Sequence, residues 1–299
     1  MNTDVSRWVT PELKQELHDN GAVCVRGVLD SEWVTLLELG LERNRAKPGP
    51  YTFRSYSGTE REFYNDTCNF HVVPEYRNLL YYSPIADILA ALIDSRELWL
   101  YFDNFFLKEG PSPPTFWHQD VEQFICSGEQ QINMWLSPEP LGADEALAFV
   151  RGTHLGPVYD GLSPKGLAEF MSARQDRIDG LRAGRRGDVG PPHPDYDLPE
   201  FADRILAWDL EPGDGLVFFN STVHGRAPIA EGKVRRSLTV RCYGDDVVYA
   251  PRTGAQPPFP HVDLFVKEGE PLRHPHYFPK LRPLDIDAGR SSLFMNRSG

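Results

Sequence analysis

The sequence predicts a mainly β chain with an α-helical lead-in: a double-stranded β-helix core (jelly roll, cupin-like) behind an N-terminal helical buttress. Three observations carry this. Helix signals crowd into the first 96 residues. From residue 97 the texture changes to short β-rich runs separated by Gly and Pro turns. The chain, 299 residues with 40% hydrophobic and 25% charged, has the composition of a globular protein with a sizeable core. It reads as a single domain over 1–299. The buttress and an aromatic loop fill 1–96, and the jelly-roll core fills 97–245 with a lid loop inserted at 160–203. A Pro-rich wrapping tail follows over 246–299.

Taken in order, Thr10-Pro11 reads as an N-cap with Pro at the first helical position, and Asn20-Gly21 as the stop. Ala22–Val25 is a short apolar strand. Asp30 or Ser31 caps a second helix, with Trp33, Val34, Leu37 and Leu41 at helical spacing. Residues 47–70 carry six aromatic rings without period and read as a loop able to line a pocket. Ser83-Pro84-Ile85 opens another helix, whose Ile85, Ile88, Leu89 and Leu92 belong to the core. Strands are then expected at 98–108, around His118, and over 130–136, 146–150, 205–210, 215–219 and 234–243.

Bulk properties narrow the partners. Net charge is −12, from 31 basic and 43 acidic residues, which disfavours nucleic acid and anionic membrane surfaces. No apolar run is long enough to span a bilayer. Met1-Asn2-Thr3-Asp4 lacks a signal-peptide pattern. Cys24, Cys68, Cys126 and Cys242 are far apart and show no CxxC pairing, as expected of buried free thiols in the cytoplasm. The expected partner is a small molecule.

One stretch carries chemistry. In Trp117-His118-Gln119-Asp120, His118 and Asp120 share a strand face. They make two-thirds of a 2-His-1-carboxylate facial triad, the arrangement that holds Fe(II) with open positions. Downstream, His224 stands at a turn where Gly225 lets the backbone bend. Arg235 and Ser237 then share one face of a strand. A guanidinium and a hydroxyl aimed together into a barrel suit the far carboxylate of a dicarboxylate.

On these residues the sequence resembles the phytanoyl-CoA dioxygenase family of Fe(II)/2-oxoglutarate-dependent oxygenases, over nearly the whole chain. The likeness rests on the lead-in around Gly21-Ala22-Val23-Cys24-Val25-Arg26-Gly27-Val28 and on Trp117-His118-Gln119-Asp120. It also rests on Gly152-Thr153-His154, Glu211-Pro212-Gly213-Asp214 and His224-Gly225. Val150-Arg151 departs from the family's usual Pro before that first Gly. The resemblance implies iron on His118, Asp120 and His224, and 2-oxoglutarate salt-bridged by Arg235. Gln119, Trp135, Asn104 and Ser237 fall where other co-substrate contacts lie in the family. It implies a dioxygenase that consumes O2 and 2-oxoglutarate, releases succinate and CO2, and hydroxylates an unactivated C–H bond of a small or medium-sized metabolite. A carboxylate ligand, where related halogenases leave room for chloride, favours hydroxylation.

Other readings stay open. The same iron site could serve desaturation, cyclisation or epimerisation, and a metal-binding jelly roll could be a sensor without turnover. A zinc or manganese cupin would show more histidines and no downstream Arg. His154 and His71 read as structural, and Arg236 as facing solvent or the loop. Arg241 reads as a contact for an anionic substrate group or as a buttressing salt bridge. Glu122, Gln123 and Phe124 are candidates for the mouth of the site. Apart from Arg182, Arg185 and Arg186, no basic cluster offers itself to a CoA phosphate.

Overall fold

A computed structural model describes residues 4–49, 51–55, 63–112, 114–121, 124–159, 190–251, 265–274 and 276–284. Most of the expected lid loop, with Arg182, Arg185 and Arg186, lies outside the described residues, as do Glu122, Gln123 and much of the tail.

Helix α1 (Pro11–Asn20) starts where Thr10 Oγ1 accepts from Leu13 N and ends on left-handed Gly21, φ 84°. Strand β1 (Ala22–Val25) follows, then α2 (Ser31–Ala46), capped by Asp30, whose carboxylate accepts from Glu32 N and Trp33 N. The expected aromatic loop contains two short strands instead, β2 (Phe53–Ser55) and β3 (Phe63–Thr67), which extend the larger sheet. Its sequence hides them because one buried position of β3 is polar. Asp66 is buried and accepts from Asn44, Gly49 and Tyr64. Helix α3 (Pro74–Tyr82), which the sequence reading passed over, begins with Pro at its first position and precedes α4 (Ile85–Leu92).

The β region runs β4 (Leu98–Glu109), β5 (Thr115–His118), β6 (Cys126–Ser127), β7 (Gln131–Leu136) and β8 (Leu147–Val150). It continues with β9 (Ile205–Leu206), β10 (Gly215–Phe219), β11 (His224–Arg226), β12 (Val234–Tyr243), β13 (Val248–Tyr249) and β14 (Lys280–Arg282). Among the described residues the larger antiparallel sheet has the order β1-β10-β7-β12-β4-β3-β2, with β14 also on β4. A second sheet has the order β5-β11-β8-β9. The two form the jelly-roll core, and the helices buttress it.

The outer face of the larger sheet meets the helices. Leu238 and Val240 of β12, Met134 of β7 and Phe105 of β4 join Leu41, Leu79 and Leu89 of the helices in one buried apolar cluster. Each such Leu or Val contributes ~1.5–3 kcal/mol by leaving water. The tail adds a strand: Leu281 is buried, and Arg282 forms a buried two-bond pair with Asp87 of α4, at 2.6 and 2.9 Å. All four cysteines are free thiols. No helix among the described residues is long and apolar enough to cross a membrane.

Candidate metal and co-substrate site

The site lies on inner faces that the two sheets share. His118 ends β5 and His224 opens β11, directly opposite each other in the antiparallel ladder. The sequence reading placed His224 at a turn; it is on a strand. Gly225 explains why the pairing is possible. A Cβ there would stand 2.8 Å from Phe116 O, so only glycine admits so close a neighbouring backbone.

His118, Asp120 and His224 each offer a ligand atom, and these atoms lie within 4.8 Å of one another. His118 Nε2 is 3.8 Å from Asp120 Oδ1, and His224 Nε2 is 4.0 Å from Asp120 Oδ2. Each imidazole meets a carbonyl through its other nitrogen: His118 Nδ1 with Phe116 O at 2.7 Å, His224 Nδ1 with Thr222 O at 2.9 Å. A carbonyl only accepts, so Nδ1 carries the proton and the Nε2 lone pair is left for a metal. The His118 side chain is 16% exposed, against 4% for His224, so solvent reaches the triad from the His118 side.

Electrostatics prepare these groups for a cation. Burial alone would raise Asp120, but Arg241, His224 and His118 hold it down at about 2. Burial, reinforced by neighbouring His118, pushes His224 down to about 3. Both groups are therefore already in the protonation state that binds metal at neutral pH.

The loop bearing His224 rests on the N-terminal buttress. Gly21 O accepts from Thr222 Oγ1 at 2.7 Å and from Phe219 N at 3.1 Å. A Cβ on Gly21 would meet His154 Nδ1 at 2.4 Å and Thr222 Oγ1 at 2.7 Å. His154, expected to be structural, stacks on Phe219 and bonds His18 O.

The inner face of β12 presents Arg235, Ser237, Thr239 and Arg241 in alternation, all buried. Arg235 Nη1 donates to Glu145 O and Ala227 O, and its guanidinium lies 5.6 Å from the Trp135 ring centre. Arg235 Nε and Ser237 Oγ, both buried, have no hydrogen-bond partner among the described residues. Lys108, Arg235's ladder partner on β4, is also buried and donates to Thr115 Oγ1 at 2.8 Å. Burial, and Arg235 beside it, drive the Lys108 ammonium well below its ordinary value. A buried guanidinium with an unmet N–H, a hydroxyl and a neighbouring buried lysine amine fit a carboxylate of a small dianion.

Other expected residues are placed differently. Asn104 Oδ1 accepts from Arg241 at 2.8 Å, and its amide bonds Asn65. Gln119 is taken up by backbone, bonding Ser221 O at 2.6 Å, Pro157 O at 3.4 Å and Tyr159 N at 2.8 Å. Arg236, expected to face solvent or the loop, bonds Glu139 on the outer face and lies near Glu38 of α2. Of the two readings for Arg241, the salt bridge is the one present: its Nε meets Asp120 Oδ2 at 3.2 Å. His71 stacks on His276. Phe124 is buried against Tyr101. Sequence reasoning missed Lys108, whose position four residues after Asn104 on one strand face was the available signal. It also missed Asn133, which donates to Asp120 Oδ2 at 3.1 Å.

The phytanoyl-CoA dioxygenase (PhyH) family model matches residues 17–237. The chain belongs to that family and, with its facial triad, is a 2-oxoglutarate-dependent non-haem iron oxygenase. Solved structures share the fold. The non-haem α-ketoglutarate-dependent epimerase SnoN from nogalamycin biosynthesis is 22% identical with a TM-score of 0.67, covering 92% of this chain and 96% of that one. The carbocyclase SnoK from the same biosynthesis is 19% identical with a TM-score of 0.64, covering 91% and 96%. EctD from S. alaskensis, bound to 2-oxoglutarate and 5-hydroxyectoine, is 16% identical with a TM-score of 0.61, covering 88% and 85%. No curated protein sequence matches at a significant level.

Proposed function

We propose that the protein hydroxylates an unactivated C–H bond of a small or medium-sized metabolite, with Fe(II) held by His118, Asp120 and His224 and with 2-oxoglutarate as co-substrate. The observation that carries this reading is the coincidence of two incomplete sites on one interior surface. One is a triad of metal-ready donors; the other is the buried pair Arg235 and Ser237 with unmet hydrogen-bonding atoms. A sensor without turnover would have no use for the second.

Iron with 2-oxoglutarate, when bound, would turn O2 into the oxidant: one oxygen atom would end in succinate as CO2 leaves, and the other would be available to the substrate C–H bond. The chain's own residues bind and orient. His118 and His224 present Nε2 because Phe116 O and Thr222 O hold their Nδ1 protons. Arg235 and Ser237 receive the far carboxylate of the co-substrate, and the Lys108 amine, on the neighbouring strand, stands beside Arg235 in the ladder. Trp135 gives the Arg235 guanidinium an aromatic wall. Gln119 pins Pro157–Tyr159 to the metal-bearing strand rather than reaching the co-substrate, so it acts through the backbone. Asn104 acts through Arg241.

Anaerobic titration with Fe(II) and 2-oxoglutarate tests the reading. A weak visible charge-transfer band is expected, and Arg235→Ala is expected to weaken 2-oxoglutarate binding by ~2–5 kcal/mol, the cost of truncating one partner of a buried charge pair. Protein that binds iron yet forms no chelate would overturn it. Two of the fold relatives are an epimerase and a carbocyclase. Product analysis must therefore read stereochemical inversion and ring closure as well as an added hydroxyl. Consumption of 2-oxoglutarate without substrate separates any of these enzymes from a sensor.

A further inference from the structure

We infer that Arg241 and Asn133 are positioning residues that restrict Asp120 to a single coordinating oxygen. The inference rests on the metal assignment above and adds how the carboxylate is presented.

Asp120 is buried, and its two oxygens are treated differently. Oδ2 accepts from Arg241 Nε at 3.2 Å and from Asn133 Nδ2 at 3.1 Å. A carboxylate oxygen has two in-plane lone pairs, so both on Oδ2 are engaged. Among the described residues nothing donates to Oδ1, which lies 3.8 Å from His118 Nε2; Oδ2, with both bonds made, is 4.0 Å from His224 Nε2.

The same chain shows what an arginine and a carboxylate do when the pair is only structural. Arg282 meets Asp87 through two parallel bonds, one to each oxygen. Arg43 likewise spans both oxygens of Glu75, with Nη2 2.7 Å from Oε1 and Nε 2.8 Å from Oε2. The two-bond fork is the favoured geometry for this pairing. Arg241 departs from it. Only Nε addresses Asp120, while Nη1 turns away to Asn104 Oδ1 at 2.8 Å. Asn104 is itself held by Asn65, and the guanidinium lies 4.9 Å from the Phe102 ring centre. The fork is thus held out of register with the carboxylate by partners on β3 and β4, and Asn133 on β7 fills the second lone pair.

The consequence is one of coordination number. A carboxylate able to swing both oxygens onto the metal competes with a chelating keto acid for a position. One whose second oxygen is bound to Arg241 and Asn133 leaves that position open. The clamp therefore favours the co-substrate without touching it.

Co(II) is the probe, because its visible bands report coordination number without turnover. Wild type is expected to bind Co(II) and to change spectrum on adding 2-oxoglutarate. Arg241→Met and Asn133→Leu are expected to melt cooperatively and still to bind Co(II), up to ~100-fold more weakly. Their 2-oxoglutarate affinity at the metal is expected to fall, about ten-fold for Arg241→Met and less for Asn133→Leu, the scale seen for groups that orient ligands. Their Co(II) bands before 2-oxoglutarate is added should shift towards higher coordination, and Arg241→Lys should restore part of the loss. Folded variants with wild-type chelation and spectra would overturn the inference, as would folded variants that no longer bind Co(II). If Arg241→Met does not fold, Asn133→Leu and Arg241→Lys decide by the same readouts. A wild-type protein that takes no Co(II) would remove the metal assignment and this inference together, whereas unchanged variants of a metal-binding wild type would remove the inference alone.

Discussion

The two faces of β12 are both buried, yet they have opposite characters. On one, Leu238, Val240 and Cys242 pack into the apolar cluster shared with the helices. On the other, Arg235, Ser237, Thr239 and Arg241 point into the interior of the jelly roll. The first face is satisfied by the chain itself. The second leaves Arg235 Nε and Ser237 Oγ without partners among the described residues. A buried polar atom left unmet costs ~1–3 kcal/mol, so the inner face carries a cost that the apolar outer face offsets. One strand thus separates the work of holding the fold from the work of the reaction.

That separation can be broken by mutation. The largest effect belongs to the triad. Asp120→Ala is expected to lower substrate-dependent turnover by at least ~10³-fold, several kcal/mol of lost metal-assisted stabilisation. Thermal unfolding of the metal-free protein should stay cooperative. Steady-state assay beside a melting curve checks both, and full turnover by this variant would end the metal assignment. On the outer face Leu238→Ala should cost ~2–5 kcal/mol in a denaturant titration through the cavity it leaves. Folded Leu238→Ala protein should still form the iron chelate. Loss of the chelate at full stability would show that the two faces are not separable.

A smaller effect depends on pH. In the metal-free fold His224 is held at about 3 and His71 at about 4, both by burial first. Unfolded, each returns to its ordinary 6.5. The unfolded state therefore binds more protons below that value, and stability falls as the pH drops from about 6.5 towards 4, by ~1.4 kcal/mol per pH unit for each histidine. Asp103, pushed up to about 6 by burial, works in the opposite direction below that pH. For these three groups a net slope of ~1.4 kcal/mol per unit is left between pH 6 and 4, and His154 and His274, also lowered by burial, act in the same direction as the histidines. Asp120, held down at about 2, adds stability that is lost only as the pH falls from about 4 through 2. Urea midpoints across this range measure the slope; a flat profile would mean the histidines are not buried neutral. Smallest is Ser237→Ala. It should leave metal-free stability nearly unchanged and weaken 2-oxoglutarate by ~0.5–1.5 kcal/mol, one hydrogen bond's worth, as read by the chelate titration.

Much of this contrast is legible in the sequence alone. Alternation along 234–243 put Arg235, Ser237 and Arg241 on one face, and the spacing of His118 and Asp120 put imidazole and carboxylate together. The Thr10 cap and the Gly21 stop bounded α1 correctly. What stayed hidden depends on partners distant in sequence. Strands β2 and β3 were hidden because Asp66 is buried on partners from α2 and the segment after it. Lys108 was only the last residue of an expected strand until β12 placed Arg235 across from it. Gln119 looked like a co-substrate contact, but its amide is spent on backbone at 157–159 and 221. Local pattern sets which face a side chain takes; only the assembled sheet sets what it meets there.

The contact between Gly21 and Thr222 bears on how the protein can be cut down. The turn after α1 supports the loop from which His224 projects, through Gly21 O and the close fit of Thr222 and His154 around Gly21. A shortened form beginning at the first strand of the catalytic interior would keep every ligand and still lose the footing of one of them. The minimal active unit therefore begins no later than Gly21, and a screen for compact versions of this enzyme should keep that turn.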